Sequence, residues 1–168
     1  RGEVTIDDYG SVFSHDCESA RPAYYSVYLD RYGVNVELTS TLRCAYHMYT
    51  WDEAGERSVI FNLPRSNERV NDYAIKQDSE TTFSGYQRTG RQTVYFYAVA
   101  NDEVLSIGEI TADKGNDIPD SPDAAGADPR HRRRYLRPIP VVRFEDSSKP
   151  LELKIGFSFV SVEGAKKN

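Results

Sequence analysis

Residues 13–49 read FSHDCESARPAYYSVYLDRYGVNVELTSTLRCAYHMY. From Val34 to Met48 the even positions are Val34, Val36, Leu38, Ser40, Leu42, Cys44, Tyr46 and Met48. The odd positions are Asn35, Glu37, Thr39, Thr41, Arg43, Ala45, His47 and Tyr49. Side chains alternate across a strand, so the pattern predicts one nearly continuous apolar face and one polar face. Fifteen residues at about 3.3 Å each would make a strand of roughly 50 Å, longer than strands usually run. A bend or bulge is expected at Ser40, where the apolar face is interrupted. Tyr24–Leu29 alternates as well, and Asp30-Arg31-Tyr32-Gly33 reads as a hairpin loop with Gly33 in a left-handed position.

Outward from this stretch the same grammar repeats. Strands are expected at Val4–Ile6, Ser58–Leu63, Tyr73–Gln77, Thr81–Gln87, Thr93–Ala100, Val104–Ile110, Ile139–Phe144 and Leu151–Val162, while Asp7–Pro22 reads as polar and irregular. No segment holds a helical period over three turns. Many short strands separated by turn residues predict an all-β antiparallel sandwich. At 168 residues the chain is expected to form a single domain over 1–168 and to bury roughly 70% of its unfolded surface. The twelve tyrosines and seven phenylalanines suit half-buried pleated surfaces.

Asp113–Pro129 stands apart, carrying Asp113, Asp117, Asp120, Asp123 and Asp128 among Gly, Pro and Ala. Such a segment buries too little to offset its ordering entropy, so 113–129 is expected to be a mobile loop insert. A calcium loop is the sharper reading of close-spaced aspartates, but the prolines interrupt it and the terminal glutamate is missing.

Net charge is −5, which argues against nucleic acid as the main partner, since phosphate binding needs clustered cations. Arg132, Arg133, Arg134 and Arg137 are the local exception and read as a solvated strand end or as internally paired. No run of about 20 apolar residues is present to cross a membrane as a helix. With no initiator Met and no signal peptide, the chain reads as an excised or processed segment. Cys17 and Cys44 fit no zinc spacing; Cys44 falls on the apolar face and reads as a small buried hydrophobe, and a bridge between the two is left open.

Chemistry is sparse. Asp16, Glu18 and Glu37 are the carboxylates nearest the informative stretch, and a cross-strand ion pair is the ordinary fate of Glu37 beside Arg43. His15 and His47 lack a second His or Cys at ligand spacing and read as structural or interdomain residues. No nucleophile elbow is present. The polar ladder Glu37, Thr39, Thr41, Arg43 and His47 reads either as a solvated sheet face or as an interface with another domain.

The residues in hand resemble the N-terminal β-sandwich domain of glycoside hydrolase family 92, the calcium-dependent exo-α-mannosidases. The resemblance rests on Phe13-Ser14-His15, Glu18, Ala20, Pro22, Tyr24-Tyr25-Ser26-Val27 and Leu29. It continues through Glu37-Leu38-Thr39, Thr41, Arg43, His47 and Tyr49, then Ser84-Gly85-Tyr86, Val94-Tyr95-Phe96 and Gly156–Ser161 with Ala165 and Asn168. Ala23 departs from the pattern, which has glycine before the tyrosine pair, and so does Cys44. The resemblance implies a sandwich of the super-sandwich type that supports a C-terminal helical (α/α)6 catalytic domain and the rim of its pocket. It implies that the parent inverts α-mannosides with calcium, that this segment holds no catalytic, cofactor or metal residue of its own, and that the parent is periplasmic, cell-surface or secreted. The alternative is a free-standing carbohydrate-binding or structural sandwich, with Trp51 and the tyrosines as the aromatic platforms.

Overall fold

The computed structural model describes residues 9–111 and 137–168. The expected strand Val4–Ile6, the Asp-rich segment 113–129 and Arg132–Arg134 lie outside the described residues. The rest is an antiparallel β-sandwich. Its strands are β1 (Glu18–Arg21), β2 (Tyr24–Leu29), β3 (Val34–Ser40), β4 (Cys44–Trp51), β5 (Arg57–Ile60), β6 (Val70–Gln77), β7 (Thr82–Thr89), β8 (Gln92–Ala100), β9 (Val104–Ile110), β10 (Ile139–Phe144) and β11 (Leu151–Ser158). One sheet has eight strands in the order β1-β2-β3-β4-β11-β8-β7-β6, and the other has three in the order β5-β10-β9. The strand that comes last in sequence therefore sits in the middle of the large sheet, between β4 and β8.

The turns follow residue chemistry. Gly33 takes φ 54 after a single 3-10 turn over Asp30–Tyr32, as its position before β3 predicts. Pro22 and Ala23 connect β1 to β2, with Arg21 opposite Tyr24. Ala23 is the non-glycine residue with positive φ (59) among the described residues. Pro fixes its own φ near about −65°, and the sign change at the next residue is the one a type II turn uses. The Thr39 hydroxyl steadies this turn by donating to the Ala23 carbonyl at 2.6 Å. β1 itself is a correction to the reading of Asp7–Pro22 as irregular. It is a polar edge strand, and short polar edges resist unwanted pairing.

A larger correction concerns the long alternating run. The chain does not bend at Ser40; it reverses at Thr41-Leu42-Arg43, where the Thr41 N–H donates to the Cys44 carbonyl at 2.9 Å. β3 and β4 are thus two strands of one hairpin. Directly paired residues such as Leu38 and His47, or Ser40 and Ala45, differ by an odd number, so a face that is even in β3 is odd in β4. Opposed residues share a face. Ala45, His47, Tyr49 and Trp51 therefore lie with Val34, Val36 and Leu38, while Cys44, Tyr46 and Met48 lie with Glu37 and Thr39 on the other side.

The face bearing Val36 and Leu38 is the inner one. Its main core joins Phe83, Phe96, Leu151, Leu153 and Ile155 of the large sheet to Val104, Val142 and Phe144 of the small one. Phe61 stacks on Phe96 and meets Phe83 edge-on, with ring centroids 5.9 and 5.2 Å apart. A second cluster of Val27, Val34 and Val36 lies under β2 and β3, and Tyr49 and Trp51 pack against both clusters. Arg57 is buried at 1% exposure with its guanidinium 2.9 Å from Asp102. It donates to the Glu145 carbonyl from Nε (2.8 Å) and Nη2, and to the Lys149 carbonyl, fastening β5 to the loop between β10 and β11.

β11 ends at Ser158, four residues short of the expected Val162, and Val162–Lys166 instead form a one-turn helix, α1. Ser161 caps it by accepting from the Gly164 N–H at 3.0 Å. The helix lies against the outer face at Gly156, where an added Cβ would stand 2.1 Å from the Ala165 carbonyl oxygen. Only glycine permits that approach.

Candidate functional site

The expected polar ladder does not exist as one surface. Glu37 and Thr39 project from the outer face, His47 from the inner face, and Thr41 and Arg43 belong to the turn. Glu37 is not ion-paired to Arg43; its carboxylate accepts from the Tyr24 hydroxyl at 2.7 Å across the hairpin. His47 sits half-buried beside Tyr49, its Nδ1 2.9 Å from the phenol oxygen. Burial lowers the His47 pKa below the ordinary histidine value and pushes that of Tyr49 up to about 12. Trp51 packs into the core and offers no exposed platform.

The residues around β1 form a tighter constellation than their spacing alone conveys. Ser14 caps a 3-10 turn over His15–Cys17 and accepts from the Asp16 N–H at 3.2 Å. The turn sets the His15 Nδ1 2.7 Å from Glu18 Oε2, while the Tyr25 hydroxyl donates to Glu18 Oε1 at 2.7 Å. The hydrogen bond from Tyr25, then that from His15, hold the Glu18 carboxyl below the usual carboxylate range. His15 is open to solvent (87% side-chain exposure), and Phe13 meets its ring edge-on at 5.4 Å. An imidazole oriented by a buttressed carboxylate beside an exposed ring can bind a polar, partly apolar ligand such as a sugar edge.

Glu18 and Glu37 are not placed as a pair for glycoside hydrolysis. Glu18 is opposite Val27, which is opposite Val36 on the inner face; Glu37 is opposite Ser26 and points outward. An inverting pair must flank one sugar with carboxyl groups about 6.5–9.5 Å apart. Glu18 and Glu37 lie on opposite sides of a sheet, and both are engaged by tyrosine hydroxyls.

Glu18–Tyr25 and Glu37–Tyr24 belong to a wider pattern. Tyr28 donates to Asp52, Tyr86 donates to Asp72 at 2.7 Å, and Tyr46 is bonded to Glu152. At Tyr25, Tyr28, Tyr46 and Tyr86 the hydrogen bond to a carboxylate raises the phenol's pKa, and the Tyr86 bond lowers that of Asp72. The tyrosine-rich, acidic composition is thereby spent on cross-strand pairing.

On the outer face a half-open groove of about 470 Å³ runs between β4 and α1, lined by Thr39, Cys44, Tyr46, Tyr97, Lys154 and Lys166 among others. Cys44 is not the buried core hydrophobe expected; it is half-buried on this outer side and donates to the Asn168 carbonyl at 2.8 Å. Cys17 and Cys44 are both free thiols. Arg137, the described member of the basic cluster, is internally paired as expected: it donates to the Val70 carbonyl at 2.7 Å and lies over the Tyr73 ring. Among the described residues no three His, Cys, Asp or Glu side chains gather as metal donors. No described helix is long and apolar enough to cross a membrane. The buried Arg57, with no signal beyond its place before an apolar run, was invisible in the sequence.

Residues 2–158 match the family model described as the glycosyl hydrolase family 92 N-terminal domain. The fold is that of a family GH92 alpha-mannosidase, BT3965 from Bacteroides thetaiotaomicron, with TM-score 0.72 and 23% identity over 99% of this chain and 24% of that one. It is likewise that of the GH92 inverting mannosidase BT2199 from Bacteroides thetaiotaomicron VPI-5482, with TM-score 0.62 and 19% identity over 93% of this chain and 20% of that one. No curated protein matches the sequence. The chain thus spans about a fifth to a quarter of the length of the solved structures it resembles.

Proposed function

Because the chain belongs to glycosyl hydrolase family 92, as its N-terminal β-sandwich domain, we propose that it is the non-catalytic domain of a longer exo-α-mannosidase acting on glycans. In this reading the sandwich supports a helical catalytic domain and contributes to the rim of the pocket, while the acid and base of an inverting mechanism come from elsewhere in the polypeptide. The observation that carries the reading is the family match over residues 2–158. The opposed directions of Glu18 and Glu37 support it, since neither can partner the other across one glycosidic bond.

Calcium would serve the parent by holding sugar hydroxyls. The described residues do not fit that ion, because no three donor side chains gather among them. In this reading its ligands come from the C-terminal part of the parent. What this segment offers the rim is the His15–Glu18–Tyr25 relay beside Phe13: an imidazole held in one orientation and an apolar ring for the face of a sugar. Periplasm, cell surface or secretion is the location that fits glycan substrates, and fractionation of the source cells checks it.

The decisive assay compares the parent protein with residues 1–168 alone on an aryl α-mannoside, with and without a calcium chelator. The parent should turn over and lose activity on chelation, and the isolated domain should not turn over. Hydrolysis by the isolated domain would refute the assignment. Titration with mannose and α-mannobiose tests the alternative of a free-standing binding module, which has lost its Trp51 platform to the core.

A further inference from the structure

Large apolar side chains left in solvent gather at one end of the eight-stranded sheet. Leu42, in the turn between β3 and β4, is 95% exposed; Val160 is 83%, Phe159 72% and Phe157 37% exposed. The topology brings them together. The Phe157 N–H donates to the Arg43 carbonyl at 2.9 Å, so the end of β11 lies against the turn that carries Leu42. Phe159 and Val160 follow directly, ahead of the cap of α1, and the Val160 N–H is held by the Ser158 hydroxyl at 3.1 Å. A lone exposed leucine needs no explanation, but four large apolar residues on bonded backbone at one place do.

The surroundings of this end give it the anatomy of an interface. Exposed Arg43, Lys166 and Lys167 flank it, in a chain whose net charge is −5. An apolar centre with a charged rim is how protein interfaces are built. Asn168 is fastened at the same end, its Nδ2 donating to the Phe157 carbonyl and its own carbonyl accepting from Cys44, each at 2.8 Å. A protein such as BT3965 carries a domain of this fold in only 24% of its length, which leaves a large remainder as a candidate occupant of such a surface.

We propose that this end, centred on Leu42, Phe157, Phe159 and Val160, is the docking surface for the C-terminal remainder of the parent polypeptide, which meets it with an apolar cleft edged by carboxylates. This rests on the reading of the chain as one domain of a longer family 92 protein and moves the interface from the polar strand face to the end of the sheet.

Hydrogen–deuterium exchange on the parent and on residues 1–168 alone, with wild-type and L42S/F159S forms of each, tests it. Amides of residues 42–43 and 157–160 should exchange roughly tenfold or more slowly in the parent than in the isolated domain, and the double substitution should abolish the difference. Both substituted residues are exposed in the isolated domain, so its melting temperature should hold. Identical exchange in the two wild-type forms would overturn the proposal. So would a concentration-dependent dimer of the isolated domain protected at these residues while the parent shows no protection, for then the surface pairs two copies. Mannosidase assays on the same samples separate this inference from its premise. An active parent without protection overturns the docking surface alone; a protected parent inactive on α-mannosides supports the docking surface and refutes the functional reading.

Discussion

Two residues carry more of this fold than their neighbours. Ala23 holds φ 59 in the Pro22–Ala23 turn, a region where a side chain costs about 1–2 kcal/mol. Glycine removes that cost and adds back some entropy of the unfolded chain. Ala23→Gly should therefore stabilise the domain by about 0.5–1 kcal/mol, read as a higher midpoint in urea with unchanged slope. Arg57 works in the opposite sense. Its guanidinium is buried, ion-paired to Asp102 and bonded to two loop carbonyls, so Arg57→Met strands those acceptors and should cost about 3 kcal/mol in the same assay. A loss within 0.5 kcal/mol, the size of an ordinary surface change, would show that the pair is dispensable.

Hairpins and strands were largely legible in the sequence where one face is wet. β2, β9 and β10 begin and end where alternation predicts, and the Asp30–Gly33 turn declares itself through Gly33. The reversal at Thr41-Leu42-Arg43 was not legible, because it contains no Gly, Pro, Asn or Asp and Leu42 prolongs the apolar rhythm. β4 hides its orientation for a second reason: it is half-buried at every position, so both of its faces look apolar enough to be core. Alternation fixes register only where one face is buried and the other solvated. The candidate site suffered accordingly. The motif residues His15 and Glu18 were readable, but the ladder joining Glu37 to His47 dissolved once the face changed, and exposed Leu42 read as part of the apolar face. The observed pairing makes a direct prediction. Leu38 packs against the cluster of Val27, Val34 and Val36, and because it is only partly buried Leu38→Ala should cost about 2 kcal/mol, the low end for such truncations. An unchanged denaturation midpoint would place Leu38 on the wrong face.

Across the whole molecule, charge and burial set a pH window. Tyr49 is held neutral in the fold, with its pKa pushed up to about 12. Its contribution is complete below pH about 10 and is lost as pH rises toward the folded value, about 3 kcal/mol at most. The lowered pKa of His47 means the fold prefers the neutral ring, so stability present above pH about 6.5 declines as pH falls below it. The lowered carboxyls of Glu18 and Asp72 add a further decline as pH falls below about 4. Melting temperature should therefore be flat between pH about 7 and 10 and fall on either side. Tyr49→Phe should make the alkaline limb shallower, the raised phenols of Tyr25, Tyr28, Tyr46 and Tyr86 supplying the rest, and His47→Gln should do the same to the limb between pH about 7 and 5; unaltered limbs would remove those groups from the account.

The seat of β11 between β4 and β8 also governs how the domain is born. During synthesis the hairpins of β1–β4 and of β6–β8 can form from local contacts, but each ends in an unpaired edge until residues 151–158 leave the ribosome. The strand that closes the sheet is the last of the described strands in chain order, so assembly depends on long-range pairing, which is slow and leaves edges open to neighbouring chains. A nascent chain stalled before Leu151 should partition into aggregates, whereas one stalled well beyond Ser158 should resist protease, and arrest-length profiling of ribosome-bound chains would show where that change occurs.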